Sequence, residues 1–397
     1  MGAPGLDVRN RRARIATAAL FLTNGALFAN LLPRYPEIKA DLGLSNTDFG
    51  LAVAAFSAGA LLSGPAAGAL IRRFRSSVVA VAGGLLIAVF VLAAVLAPTG
   101  ATLAAALFCA GAADSVTDVA QNVHGLRLQR EYGRFIINSL HAVWSAGAVL
   151  GGLMGAGAIY LGIPRAVQLS VSGVLFSAIC LIGYCFLLPG PDHDEADKRH
   201  QQAASAGAGR AVYLVLAALV AIAIAGAVVE DAGSSWATLY LRESLAAPAA
   251  LAAFGYVALI GFQFIGRALG DRMVDRWGQR AVVRAGGLLI TLGMATALAF
   301  PSIPGSIAGF AAAGFGSATL VPAAMHAADE LPGLRPGTGL TVLTWLMRVG
   351  FLGSPIVVGV IADAMSLRVG LLTVVVAGLA AVLLARVLSP RNPSTRS

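Results

Sequence analysis

The chain has 397 residues, of which 58% are hydrophobic and only 12% charged, with a mean hydropathy of +0.81. Soluble domains run near a quarter charged, so this composition excludes an ordinary soluble enzyme or binding domain and calls for a solvent that is itself apolar. A formal charge of +9 would suit nucleic acid if it were gathered into a basic patch interleaved with aromatics. Here the arginines are spread over short loops between apolar stretches, where they set membrane orientation instead.

The N-terminal MGAPGLDVRNRRARIA places basic residues ahead of an apolar run, as a signal peptide does. That run reaches about Leu32 and meets Pro33-Arg34 without an A-x-A cleavage site, so a retained first helix is expected. Stretches long enough to cross a bilayer as helix follow near 13–33, 47–71, 78–98, 102–126, 136–160 and 165–188. Six more lie near 211–240, 249–270, 282–300, 304–327, 338–362 and 367–388. Ser45, with Asp48 three residues on, reads as a capping box opening the second. The seventh is long enough to be bent or broken.

The longest polar interruption, PGPDHDEADKRHQQAASAGAGR at 189–210, is charged and then rich in Ala, Ser and Gly. It reads as a flexible cytoplasmic linker between an N-terminal six-helix bundle (1–188) and a C-terminal one (211–397). Its His193 and His200 read as solvated side chains rather than metal ligands. Cys109, Cys180 and Cys185 lie in apolar spans without metal-ligand spacing and read as small core residues. Neither metal nor cofactor is expected.

With the N-terminus inside, only Arg34, Lys39, Arg165, Arg242 and Arg368 of the 28 lysines and arginines fall in outward loops, and Arg348 lies inside a span. Both termini are therefore expected in the cytoplasm, in a multi-pass protein of the inner (plasma) membrane.

AGGLLI occurs at 82–87 and again at 285–290, an offset of 203 residues that also relates Ala110-Gly111 to Ala313-Gly314 and Gly147 to Gly350. So long a period marks duplicated bundles, and duplicated bundles in an apolar chain point to a transporter with its pathway between them. The copies differ in their polar residues. Arg72 aligns with Asp275, Asp118 with Val321, His141 with Thr344, and Ser145 with Arg348. The N-terminal half is therefore expected to carry the coupling chemistry.

An ionisable group near the bilayer centre costs about 2.5–3.5 kcal/mol on insertion scales, so each requires a partner or a wet cavity. Asp114, Asp118 and Asn122 are spaced by four and share one face of the fourth helix. Asn122 and His141 sit at similar depth on antiparallel neighbours, within reach of a hydrogen bond. Glu230 and Asp231 are adjacent and cannot share a face. One is expected to face a cavity and the other to cap a break in the helix. Arg348, at the centre of the eleventh helix, has Asp114, Glu230 or an anionic substrate group as candidate partners. There is no P-loop, the only lysines being Lys39 and Lys198, and no H-E-x-x-H or G-x-S-x-G; neither an ATP-driven pump nor an enzyme is supported.

Twelve helices in two pseudo-symmetric six-helix bundles, an all-α membrane protein, resemble the major facilitator superfamily, and two loops sharpen the likeness. The family's Gly-x-x-x-Asp-Arg-x-Gly-Arg motif is matched after the eighth helix by Asp271-Arg-Met-Val-Asp275-Arg276-Trp-Gly278-Gln-Arg280, with Asp271 at the leading glycine. After the second helix it is matched by Gly68-Ala-Leu-Ile-Arg72-Arg73-Phe-Arg75, with arginine at the aspartate. The resemblance implies a cytoplasmic gate at Arg72, Arg73, Asp275 and Arg276, the charge swap altering its first half. LIRRF, MVDRWGQRAVVRAGG, VAQNVHG, SLHAVWSAG and VVEDAGSSW are similar to the bacterial YbjJ-like branch of that superfamily.

In that family, helices one, four, seven and ten line the central cavity. The resemblance therefore puts Asn24, the helix-four stripe and Glu230-Asp231 in its wall, and the matching acid in the YbjJ-like branch favours Glu230 as the one that faces the cavity. Gly147-Ala148-Val-Leu-Gly151-Gly152 resembles an antiporter motif with Ala148 in place of proline, and the same glycines also permit close helix packing. The expected function is secondary transport of a small molecule by alternating access, coupled to protons. Asp114, Asp118, Glu230 and His141 are the expected proton-coupling groups, and Asn24, Asn122, Asp231 and Arg348 the substrate contacts. Efflux by an antiporter with a larger apolar cavity is the alternative. The expected partners are the substrate, protons and the bilayer, with no nucleic acid, and the chain reads as a monomer.

Overall fold

A computed structural model describes residues 4–132, 136–190, 209–334 and 338–389. Most of the linker, with His193 and His200, lies outside the described residues. Twelve spans are long and apolar enough to cross a membrane: α1 (Val8–Asp41), α2 (Asn46–Phe74), α3 (Ser76–Val95), α4 (Gly100–Tyr132), α5 (Ser139–Tyr160), α6 (Arg165–Tyr184), α7 (Arg210–Ser244), α8 (Ala249–Trp277), α9 (Gln279–Ala299), α10 (Ile303–Asp329), α11 (Thr338–Ala364) and α12 (Leu367–Val387). Among the described residues all regular structure is helical. A hydrocarbon solvent explains this, because each backbone N–H and C=O must find its partner within the segment. The Ser45 cap is present: its Oγ accepts from the Asp48 backbone N–H at 3.0 Å and donates to the Asp48 carboxylate at 2.7 Å.

The described residues form two compact units. The first holds α1–α6 with the short segment Pro248–Ala253, and the second holds α7 and the chain from Phe254 onward. Within the first, α2 and α3 both pack on α4, α1 packs on α5, and α3 on α6. Within the second the same pairings recur: α8 and α9 on α10, α7 on α11, and α9 on α12. Glycine sets the closest approaches. A Cβ on Gly111 would lie 1.9 Å from the Phe56 carbonyl oxygen, and one on Gly314 would lie 2.0 Å from that of Leu259. Both the glycines and the carbonyls they meet are related by the offset of the repeat. In α5, a Cβ on Gly147 would meet Leu22 O at 2.2 Å, and one on Gly151 would meet Ala26 O at 2.4 Å. The antiporter-like glycines thus bring α5 onto α1.

Two expectations about helix continuity are corrected. Through Glu230 and Asp231 the seventh span is an unbroken helix, Arg210–Leu239, followed by one wider π turn at Tyr240–Ser244, so Asp231 caps no break. Its sequence contains no proline that would interrupt it. A break does fall in α10, where Ile303–Ser317 gives way to Leu320–Asp329. Pro322 accounts for this: it has no N–H for the Ala318 carbonyl, and its ring would collide with that carbonyl in a continuous helix.

The two motif-bearing loops reverse direction in the same way. α2 ends at Arg75 (φ 74°, ψ 148°) and α8 is followed by Gly278 (φ 82°, ψ 154°). Each backbone N–H closes on the carbonyl four residues back, at 2.8 Å from Ile71 and 2.7 Å from Val274. Arg75 thus holds a side chain where the family motif has glycine, in a backbone region that costs an L-residue about 1–3 kcal/mol. Arg75→Gly should therefore stabilise the protein by about 1 kcal/mol once the greater freedom of the unfolded chain is subtracted. Thermal unfolding in detergent micelles should show a raised Tm for Arg75→Gly and a lowered one for Gly278→Ala.

Candidate functional site

In the first unit the polar stripe of α4 divides into two hydrogen-bonded groups. The deeper one joins three helices. Asn24 of α1, which is buried, donates from Nδ2 to Asp114 Oδ1 at 3.0 Å, and Trp144 of α5 donates from Nε1 to Asn24 Oδ1 at 2.7 Å. An indole N–H can only donate, so it fixes the amide with its oxygen toward Trp144 and its NH₂ toward Asp114. Asp114 is thereby held as an acceptor.

The second group begins one turn along, about 6 Å up the helix. Asn122 Nδ2 donates to Asp118 Oδ1 at 3.1 Å and to the Asp118 carbonyl at 2.9 Å, while its Oδ1 lies 3.0 Å from His141 Nε2. The Asn122–His141 bond expected from their matched depth is present. With the Asn122 NH₂ committed to Asp118, its oxygen must accept, so His141 Nε2 carries a hydrogen. Phe21 packs edge-on against the imidazole at 5.3 Å between ring centroids. Asp118 and His141 are exposed, whereas Asp114 is partly buried.

In the second unit the adjacent acids point to different helices. Glu230 Oε2 accepts from Gln263 Nε2 at 2.7 Å and from the Arg267 guanidinium at 3.2 Å, both on α8. Asp231 Oδ1 accepts from Ser235 Oγ one turn ahead at 3.2 Å, and Ser354 of α11 lies against the same carboxylate. By charge pattern alone Arg267 belongs with the basic loop after the eighth helix; it is instead a helical residue of α8, paired within the unit. Gln263 and Arg267 share a face by their spacing of four, a signal that the sequence contained. Arg348 is partly buried on α11.

Arg72, Arg73, Asp275 and Arg276 are all at the ends of α2 and α8, and all four are exposed. Arg73 stacks over Phe74 at 5.7 Å and Arg276 over Trp277 at 5.6 Å, again at matched positions of the repeat. Among the described residues Asp275 makes no ion pair.

Two further polar clusters escaped the sequence reading. His124, fully buried, has Nδ1 3.1 Å from Ser76 Oγ and receives the Leu188 backbone N–H on Nε2 at 3.4 Å. A backbone N–H only donates, so Nε2 is bare and the ring is neutral. At the opposite end of the same unit, the buried Arg34 donates to Gln168 Oε1 (2.7 Å), Glu37 (2.9 Å) and the Ile163 carbonyl (2.6 Å), and Arg165 joins Glu37 and Asp41. Arg34 and Arg165 therefore tie helix ends together. Among the described residues no cluster of three or more His, Cys, Asp or Glu side chains is arranged to hold a metal.

A model of the Major Facilitator Superfamily matches residues 17–273 and 238–397. The chain belongs to the Major Facilitator Superfamily. It is 30% identical to the uncharacterized transporter y4wD of Sinorhizobium fredii (strain NBRC 101917 / NGR234) over 375 residues, which is 92% of this chain and 97% of that protein. It is also 30% identical to membrane protein MosC of Rhizobium meliloti over 365 residues, 91% of this chain and 87% of the relative. Among solved structures, the nucleoside transporter NupG superposes with a TM-score of 0.71 at 12% identity, covering 95% of this chain and 97% of that one. A D-xylose-proton symporter superposes with a TM-score of 0.73 at 14% identity, covering 95% and 96%. At these identities the structures show the fold. The protein is thus a multi-pass membrane transporter of a small molecule and not an enzyme.

Proposed function

We propose that the transporter couples substrate movement to protons by alternating access, and that Asp114 and Asp118 in the first unit and Glu230 in the second accept the protons. The observation that carries this reading is the hydrogen-bonded series Trp144–Asn24–Asp114, which holds one carboxylate as an acceptor inside a membrane span. A carboxylate so placed is ionised when wetted and neutral when sealed from water, so exposure to the two sides in turn moves a proton. Asn122 and His141 relay or tune the proton on Asp118. Neutralising Glu230 would weaken its ion pair and free Arg267 to move.

Asn24 positions Asp114, with Oδ1 and Nδ2 both engaged, while retaining one amide hydrogen for substrate. Asn122, Asp231 and Arg348 complete the proposed substrate contacts. Arg72, Arg73, Asp275 and Arg276 form the proposed cytoplasmic gate, in a monomer of the inner membrane with both termini cytoplasmic. Proton coupling in the fold relative named as a D-xylose-proton symporter supports the reading. The glycines that suggest an efflux antiporter are accounted for by the packing of α5 on α1.

The test uses protein reconstituted into vesicles that enclose a pH-sensitive dye, with solutes first chosen by the thermal shift they give. Asp114→Asn, Asp118→Asn and Glu230→Gln should each lower pH-driven uptake by at least about tenfold, a change of about 1.4 kcal/mol in barrier. Uptake by the triple variant with an unchanged pH dependence would overturn the coupling.

A further inference from the structure

The second unit contains a groove that the transport reading does not use. A cavity of about 730 Å³ lies between α11 and α12 with α7 as its floor. Val349, Gly353 and Val357 form one wall, Leu372 and Val376 the other, and Ile224 lies at the bottom. Val349, Val357 and Val376 are 49%, 48% and 64% exposed in the middle of membrane-crossing spans, so the groove opens to the bilayer. Two hydroxyls line it, and neither is offered to it: Thr373 Oγ1 donates to the Gly370 carbonyl at 2.8 Å, and Ser354 Oγ is buried. What remains for an occupant is hydrocarbon.

Gly353 identifies the empty space as a feature of the sequence. A glycine inside a helix costs about 1 kcal/mol relative to alanine, and elsewhere on α11 packing justifies it. A Cβ on Gly339 would meet Ala328 O at 2.1 Å, and one on Gly350 would meet Ala227 Cβ at 3.1 Å. A Cβ on Gly353 would meet nothing within 4 Å. No neighbour in the protein requires the absence of a side chain there, and the glycine leaves the groove open at that turn of α11.

The dimensions select the occupant. The lining of α11 runs from Val349 to Met365, about 24 Å at 1.5 Å per residue. That is close to the roughly 20–22 Å from bilayer midplane to the outer edge of the headgroups, so the groove is one leaflet deep. Its volume falls within the roughly 300–1,000 Å³ range of sites that enclose a small ligand. We propose that the groove binds a single acyl chain of a bilayer phospholipid, enclosed on three sides by α7, α11 and α12. The chain supplies the van der Waals contacts that Gly353 omits. This inference is independent of the proposed proton coupling.

The full-length transporter is placed in nanodiscs doped with a phosphatidylcholine carrying a diazirine midway along one acyl chain, irradiated and digested. Labelling is expected to concentrate on peptides covering residues 349–361 and 369–380. Gly353→Phe should lower labelling of those peptides by about tenfold and leave other peptides unchanged, whereas Gly353→Ala should label as the parent does. Val376→Phe fills the groove from the opposite wall and asks the same question if Gly353→Phe does not fold. Labelling spread evenly over the exposed apolar faces, or unchanged in whichever filled variant folds, overturns the proposal.

Discussion

Gly111→Leu should leave almost no folded transporter in the membrane. The first atom of any side chain at that position would lie 1.9 Å from the Phe56 carbonyl oxygen and 2.7 Å from its carbon. These are backbone atoms of α2, so no rotamer change relieves the collision and the helices must part. A Cβ on Gly59 would lie 2.0 Å from the Phe108 carbonyl oxygen on the other side of the same crossing, so separation loosens both contacts. Membrane helices associate through close packing rather than water exclusion, which makes such a loss severe. A penalty above about 4 kcal/mol is expected against a total stability of about 5–15 kcal/mol. Gly314→Leu should do the same in the second unit, where Leu259 O lies at 2.0 Å. Gly157, whose added Cβ would meet nothing within 4 Å, supplies the control. Size-exclusion profiles of detergent extracts read the outcome. A monodisperse peak of normal height from Gly111→Leu would show that the helices do not approach as described.

Arg267→Met should destabilise the second unit by about 2 kcal/mol, and adding Glu230→Gln should return most of it. The single change leaves the Glu230 carboxylate with Gln263 but without its guanidinium, and lone charges are expensive in a membrane span. The expected loss is smaller than for a fully buried pair because the Arg267 and Glu230 side chains are 36% and 20% exposed, and solvent screens them in part. In the double variant a neutral amide faces Gln263 and an apolar thioether side chain, with no charge stranded. A double-mutant cycle by thermal unfolding isolates the coupling. Strict additivity of the two single effects would mean that the ion pair contributes nothing.

Much of the architecture could be read from the chain because a bilayer imposes simple rules. Span length, loop arginines and the doubled AGGLLI are one-dimensional signals, and so is the Ser45 cap. Helix periodicity placed Asp114, Asp118 and Asn122 on one face, and depth alone matched Asn122 with His141. What periodicity cannot supply is the rotation of one helix against another. That rotation brings Trp144 and Asn24 to Asp114 and leaves Asp118 in a separate group. The same limit hid the Glu230–Arg267 pair, since a charge near a helix end looks like a loop charge until its neighbour is known. The break in α10 was readable from Pro322, but hydropathy has no term for a missing N–H. Length alone suggested a break in α7, where the local chemistry contained no cause for one.

The glycine contacts within the first unit have a consequence for biogenesis. The contacts of Gly25, Gly59, Gly111, Gly147 and Gly151 all join helices that precede the linker. At about 5–20 residues per second, synthesis of the second half occupies on the order of 10–40 s, far longer than helices need to dock. Throughout that interval the first six helices reside in the bilayer without their counterpart, and any ionisable group they carry must be tolerated there. Asn24, Asp114 and Trp144 satisfy one another through α1, α4 and α5 alone. The first half thus reaches the membrane with its most deeply placed carboxylate already engaged, before the partner half exists.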